Sequence, residues 1–318
     1  MGITTAGAYG GLTAARWINR QRLPPPIDVP PALDWTPHPL ETRDGRVYCY
    51  VRPGTGPPIL LLHSLNAVAS SFEMKPIAEY LARWTNRPLW AVDWLGFGRS
   101  ARPDRSYAPE TFAHQLYQVL TDAVDEPADL VALSLGCEYA AWMGLQAAPR
   151  VRRLALISPT GLTAGPRGPS KMGQLGLSLA ARTGLFELLY HRLTRRASLR
   201  DYYERQVFLA EEAVPSALLD YAEVTAHAKG AHHAPQHFVQ GRLFVENVAE
   251  EIYARLYRPT LLLTPSTPGP TVQSFDLLPP VLDRNPRTLT HQTLPGGLVP
   301  HWEAPTDTFD ALAPFLLD

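Results

Sequence analysis

Five short apolar runs constrain this chain more than any other feature: Ile59–Leu62, Leu89–Val92, Leu130–Leu133, Leu154–Ile157 and Thr260–Leu263. A run that is apolar at every position, with no alternation, reads as a strand buried on both faces. Between the runs lie stretches with helical periodicity, at residues 71–84, 109–124, 136–148 and, at the end, 306–317. Strands alternating with helices predict an α/β fold, a mostly parallel central sheet with helices on both faces. A further strand is expected at Val47–Val51, entered through the turn Thr42–Arg46 and closed by Gly54–Pro58.

The alternation breaks between about residues 161 and 240, where only helix-like pattern occurs. The expected division is therefore an N-terminal helix and Pro-rich arm at 1–40, an α/β core at 41–160 and 241–318, and a helical cap at 161–240. Residues 1–15 carry no charged side chain, and Arg16 and Arg20 follow. That run is too short to span about 30 Å of hydrocarbon, and a signal peptide places its positive charges before the apolar stretch. A helix packed on the body, followed by the extended arm Pro24–Pro31, is the expectation.

Composition excludes several classes of function. A formal charge of −1 and a pI near 6.8 give no broad positive field for nucleic acid or anionic lipid. Membrane association is thus not expected. Two cysteines, Cys49 and Cys137, make no disulfide framework and have no partners at zinc-ligand spacing, which points to a reducing, cytoplasmic setting. Neither a cofactor nor a metal is expected.

The chemistry is concentrated in Ala128–Gly136, where a buried strand runs into Ala-x-Ser-x-Gly and a helix begins at once. In a nucleophile elbow the serine sits on a tight strand-to-helix turn, and its neighbours must be small because strand and helix nearly touch. Ala132 replaces the usual first glycine and Gly136 keeps the second. Upstream stand Leu60–Asn66, with the order Leu-Leu-Leu-His-Ser-Leu-Asn, and Ala91–Ser100, with an aspartate and a double-glycine turn. Near the end comes Leu294–Pro305, which contains His301.

Together these four stretches resemble the α/β-hydrolase family, in its capped serine-hydrolase branch, over about residues 41–318. The resemblance implies Ser134 as nucleophile, His301 as general base and then acid, and an oxyanion hole from the backbone amides of Leu65 and Leu135. Ser64 stands where the family usually has glycine. The family's usual acid position, after the penultimate strand, reads Thr264–Pro270 and holds no carboxylate; neither does Ser158–Gly161, the alternative site. Three readings stay open: a shifted acid, with Asp276 first and Asp283 second; a Ser-His dyad; or a non-catalytic relative that binds an apolar ligand under the cap. The leading reading is acyl transfer on a small or medium apolar ester.

Other residues have structural readings. His63 is expected to make hydrogen bonds beneath the oxyanion loop, Asp93 to stabilise a turn, and Cys137 to pack behind the elbow. Glu303 is expected to favour a helix N-terminus. The histidines between 227 and 237 are expected to be solvated at a junction of cap and core, with Pro235 biasing Ala234 away from helix. The leucine and aromatic pattern of residues 173–190 fits core packing and pocket lining equally.

Overall fold

The computed structural model describes residues 13–317 except 16, 20, 211–212 and 268–272. Its centre is an eight-stranded sheet in the order β1-β2-β4-β3-β5-β6-β7-β8. The strands are β1 (Thr36–Thr42), β2 (Gly45–Arg52), β3 (Ile59–Leu62), β4 (Leu89–Asp93), β5 (Ala128–Leu133), β6 (Val151–Ile157), β7 (Thr260–Pro265) and β8 (Leu289–Leu294). β2 pairs antiparallel with both β1 and β4, and every other pairing is parallel.

All five apolar runs are strands, and their continuity has a simple cause. Leu60, Leu62, Leu130, Ala132, Leu154 and Leu156 pack into one cluster, while Ile59, Leu61, Val131, Leu133, Ala155 and Ile157 pack into another on the opposite face. Neither face of these runs is left to solvent, so a polar side chain there must find its partner inside the protein, and apolar residues dominate. Each leucine fully buried in this way contributes about 1.5–3 kcal/mol.

The core helices are α1 (Lys75–Trp84), α2 (Pro109–Gln118) and α3 (Gly136–Gln146). Between β6 and β7 the chain inserts α4 (Lys171–Arg182), α5 (Leu185–Leu193), α6 (Arg196–Tyr202), α7 (Ser216–Ala226), α8 (His233–Val239) and α9 (Val248–Glu251). The last segment adds α10 (Leu278–Arg284), α11 (Pro300–Glu303) and α12 (Pro305–Leu317). Two strands escape the apolar-run pattern: β1, which is mostly exposed, and β8, an edge strand with polar residues along most of its length.

Most of the expected N-terminal helix falls on residues 1–12, which lie outside the described residues; 13–15 and 17–19 are helical. The arm is extended and held at three points: Ile27 N bonds His227 O, Tyr221 Oη bonds Pro30 O, and Ala32 N bonds Tyr50 Oη. The histidine stretch differs from expectation. α8 begins at His233, so Pro235 occupies the first turn, where a missing N–H costs nothing, and Ala234 is helical. His232 and His237 are buried rather than solvated, and His227 stacks on His191 at 4.1 Å.

Candidate active site

Ser134 follows the last residue of β5, and only Leu135 separates it from the start of α3. Its φ is +53°, a left-handed conformation that a residue with a Cβ adopts only under constraint. The constraint is visible on both sides. Ser134 N donates to Ile157 O at 2.9 Å, and Cys137 N donates to Ser134 O at 3.0 Å, so strand and helix are locked to the same residue. Gly136 allows the close approach: a Cβ there would lie 2.5 Å from His63 O. Cys137 is fully buried behind the turn, its Sγ 3.2 Å from Ala132 O, and burial pushes its thiol pKa well up.

Ser134, Leu65 and Leu135 line one cavity of about 90 Å³, together with Tyr203, Phe238 and Phe244 from the insertion. The backbone amides of Leu65 and Leu135 form no backbone hydrogen bond among the described residues. Unsatisfied donors beside a nucleophile are what an oxyanion requires. Ser64 contributes a hydroxyl that accepts from Asn66 Nδ2 at 2.8 Å.

His301 stands elsewhere. It lies in α11, fully buried, with Nε2 2.7 Å from the backbone carbonyl of Glu73. Trp302 Nε1 donates to the same carbonyl at 2.8 Å. A carbonyl can only accept, so the ring proton belongs on Nε2. Nδ1 is buried and has no hydrogen-bond partner among the described residues. Burial without a counter-charge pushes the imidazole pKa down to about 4. Among the described residues the imidazole makes no hydrogen bond to Ser134 and no carboxylate reaches it. From this loop Leu298, Val299 and Trp302 line the Ser134 cavity, and His301 does not.

The structure also keeps Asp276 away from His301. Its carboxylate is exposed and accepts from Ala164 N at 2.8 Å, closing a loop at the start of the insertion. Asp283 is exposed on α10. Among the described residues neither carboxylate is brought to His301: Asp276 is bonded to the start of the insertion and Asp283 is exposed. Pro268 and Pro270 fall outside the described residues.

The sequence reading missed Glu73. This carboxylate is buried, lines the Ser134 cavity, and accepts from Ser64 N and from Asn66 Nδ2, each at 3.0 Å. Burial raises its pKa, and the bonds from Ser64 and Asn66 offset that in part. Among the described residues lining the cavity it is the one carboxylate, and none of those is an imidazole or a cation. Nothing in Ser71–Met74 marks it in advance, because a glutamate next to a helix start normally points into water.

The remaining residues have structural partners. Asp93 accepts from Ser71 N and Arg99 N, both at 2.8 Å, and from Tyr50 Oη. His63 is buried, its Nε2 accepting from Trp94 N at 3.0 Å, and burial pushes its pKa down to about 4. Glu303 does not serve a helix N-terminus. Its carboxylate accepts from Gly297 N and Leu209 N, tying the last loop to the insertion. A larger groove of about 620 Å³ between the arm and the insertion is lined by His191, His227, His232 and His233, with no serine, threonine or cysteine among its described lining residues. Among the described residues no group of three His, Cys, Asp or Glu is placed to hold a metal ion.

A strained serine between a central strand and its following helix, on an eight-stranded mostly parallel sheet, defines a hydrolase-fold protein. The profile of the alpha/beta hydrolase family matches residues 59–311, and the chain belongs to that family, a hydrolase by class. A putative non-heme chloroperoxidase from Synechocystis is 29% identical over 107 residues, a match spanning 33% of this chain and 38% of that protein. Among solved structures, the enol-lactonase from Burkholderia xenovorans superposes with a TM-score of 0.68 at 17% identity, over 88% of this chain and all of that one. An esterase from Thermogutta terrifontis gives 0.66 at 17% identity, over 89% and 98%. At such identities the likeness is one of fold.

Proposed function

We propose that this protein is a serine hydrolase acting by acyl transfer on a small or medium apolar ester, with Ser134 as nucleophile and the Leu65 and Leu135 amides receiving the oxyanion. The backbone of Ser134 carries the reading. A non-glycine residue held at φ +53° costs of the order of 1–3 kcal/mol, and such strain persists where function uses it. The apolar lining, with Val207, Leu218 and Leu298 beside the aromatic rings, suits an uncharged acyl group. At about 90 Å³ the cavity takes a short chain, and a longer one requires the helices above it to move.

Proton transfer falls to Glu73 in this proposal, in place of His301. The serine proton passes to the Glu73 carboxylate as the bond to the carbonyl carbon forms, and returns to the departing alkoxide when the tetrahedral intermediate collapses. A buried carboxylate with a raised pKa is a stronger base than an exposed one. Buried free cysteines at 49 and 137 accord with a cytoplasmic setting.

A second reading rests on one observation, the absence of any imidazole bonded to Ser134: the cavity binds an apolar ligand without turnover. A fluorophosphonate probe separates the two. Labelling of the native protein and not of Ser134→Ala, with hydrolysis of short-chain esters, supports the hydrolase. No labelling, with ligand retained through purification, supports the binder.

A further inference from the structure

The chain's formal charge of −1 conceals a strong local imbalance. Between residues 161 and 200 there are seven Lys or Arg and a single acidic residue, Glu187. The same stretch exposes large apolar side chains in register. On α4, Met172, Leu175 and Leu179 are 82%, 68% and 57% exposed and follow i, i+3, i+7, one helix face. On the neighbouring α5, Leu185, Leu189 and Leu193 are also exposed and follow i, i+4, i+8.

α4 has no fully buried residue along its twelve positions. A helix of that length is marginal in water by itself and ordinarily depends on a packed face. Here Met172, Leu175 and Leu179 remain exposed among the described residues. Lys171 and Arg182 stand at the two ends of α4 and Arg192 next to Leu193, all exposed, with Arg195 exposed just beyond. None of these four forms an ion pair among the described residues, whereas Arg196 and Arg200 pair with Asp220 and Glu204. Trp17 and Ile18 are exposed on the N-terminal segment, which Asn19 joins to the end of α4 through a bond to Thr183 O.

We infer that the outer face of α4 and α5 is a docking surface for an anionic lipid membrane, with the leucines entering the headgroup boundary and the four exposed cations at the phosphates. Long basic side chains beside an apolar stripe place their stems on hydrocarbon and their charge in the headgroup layer. A second copy of the chain fits less well, because a two-fold contact would set one excess of positive charge against another. The surface lies in the interfacial plane: no described helix is long and apolar enough to cross a membrane. The inference is independent of turnover at Ser134.

Co-sedimentation of the full chain with phosphatidylcholine vesicles, with and without phosphatidylglycerol, tests it. Binding is expected on the anionic vesicles, falling at high salt as exposed charge pairs are screened. The double variant Leu175→Glu/Leu189→Glu should bind at least about tenfold more weakly with an unchanged melting temperature, since both positions are already in water. The pair Arg182→Ser/Arg192→Ser should weaken binding to anionic vesicles alone. The inference is overturned by no binding at low salt, by the leucine variant binding as the native chain does, or by a native dimer that the leucine variant converts to monomer.

Discussion

The Nε2 proton of His301 is held by the backbone carbonyl of Glu73 at 2.7 Å, and the carboxylate of that same Glu73 lines the cavity of Ser134. The histidine therefore bears on the site through the position of Glu73. With Trp302 on the same carbonyl, two ring donors from α11 fix the backbone of Glu73, whose side chain lines the cavity of Ser134. This makes His301 a positioning residue in the proposed chemistry.

His301→Asn should cost about 1–3 kcal/mol of stability, the range for a buried group left imperfectly paired. Fluorophosphonate labelling of Ser134 should persist at reduced rate. Were the imidazole the base, the same change would remove labelling altogether. Thermal melts and labelling time courses on one preparation separate these outcomes.

Acid sensitivity follows from the same residue. His301 and His63 both have folded pKa values near 4 against an ordinary 6.5. Between those values the unfolded chain binds more protons than the folded one, so stability rises with pH across that window and is lost as pH falls through it. Each histidine accounts for about 3 kcal/mol at most. Glu73, with its pKa raised, acts in the opposite sense above its unfolded value. Melting temperatures from pH 7 down to pH 4 should therefore fall less steeply in His301→Asn than in the native chain.

The fold was legible because double burial leaves a mark on sequence. Leu60 to Leu62 and Leu154 to Ile157 have no solvent face, and the five runs they exemplify name every parallel strand but β8. β8 left no such mark, since an edge strand tolerates His291 and Gln292. At the site, Ser134 was readable because strand, small neighbours and helix must adjoin. The direction of the His301 ring, toward Glu73 O, was not readable, because order along the chain fixes the loop and not where a ring points. A shift of one residue, from His301 to Trp302, decides which side chain lines the cavity.

Ser134→Gly should abolish labelling and raise stability by about 1 kcal/mol, because glycine adopts the left-handed conformation without a Cβ penalty. A gain in melting temperature accompanying loss of reactivity would mark the strain as functional. A loss in melting temperature would mean that the serine side chain stabilises the turn.

Glu73→Gln keeps the shape of the side chain and removes its basicity. Ester hydrolysis should fall at least about a hundredfold, the upper part of the range for removing a general base being larger still. The native rate should rise with pH through the raised pKa of Glu73, and the residual rate of the variant should lack that limb. A variant with the native rate and pH profile eliminates Glu73 as the proton acceptor.

Glu138 joins the insertion to the core from the nucleophile helix itself. Its carboxylate is fully buried, accepts from Val245 N at 2.8 Å and from Thr160 Oγ1, and pairs with Arg167, so both ends of the insertion converge on one side chain in α3. Burial raises its pKa against the lowering effect of Arg167. Removing one partner of such a pair strands the other, and Glu138→Ala should cost about 3–5 kcal/mol. The loss should be localised: limited proteolysis should cut within residues 161–245 before the sheet gives way, because β5 and β6 retain their packing on both faces. Cleavage distributed evenly over the chain would show instead that insertion and core unfold as one unit.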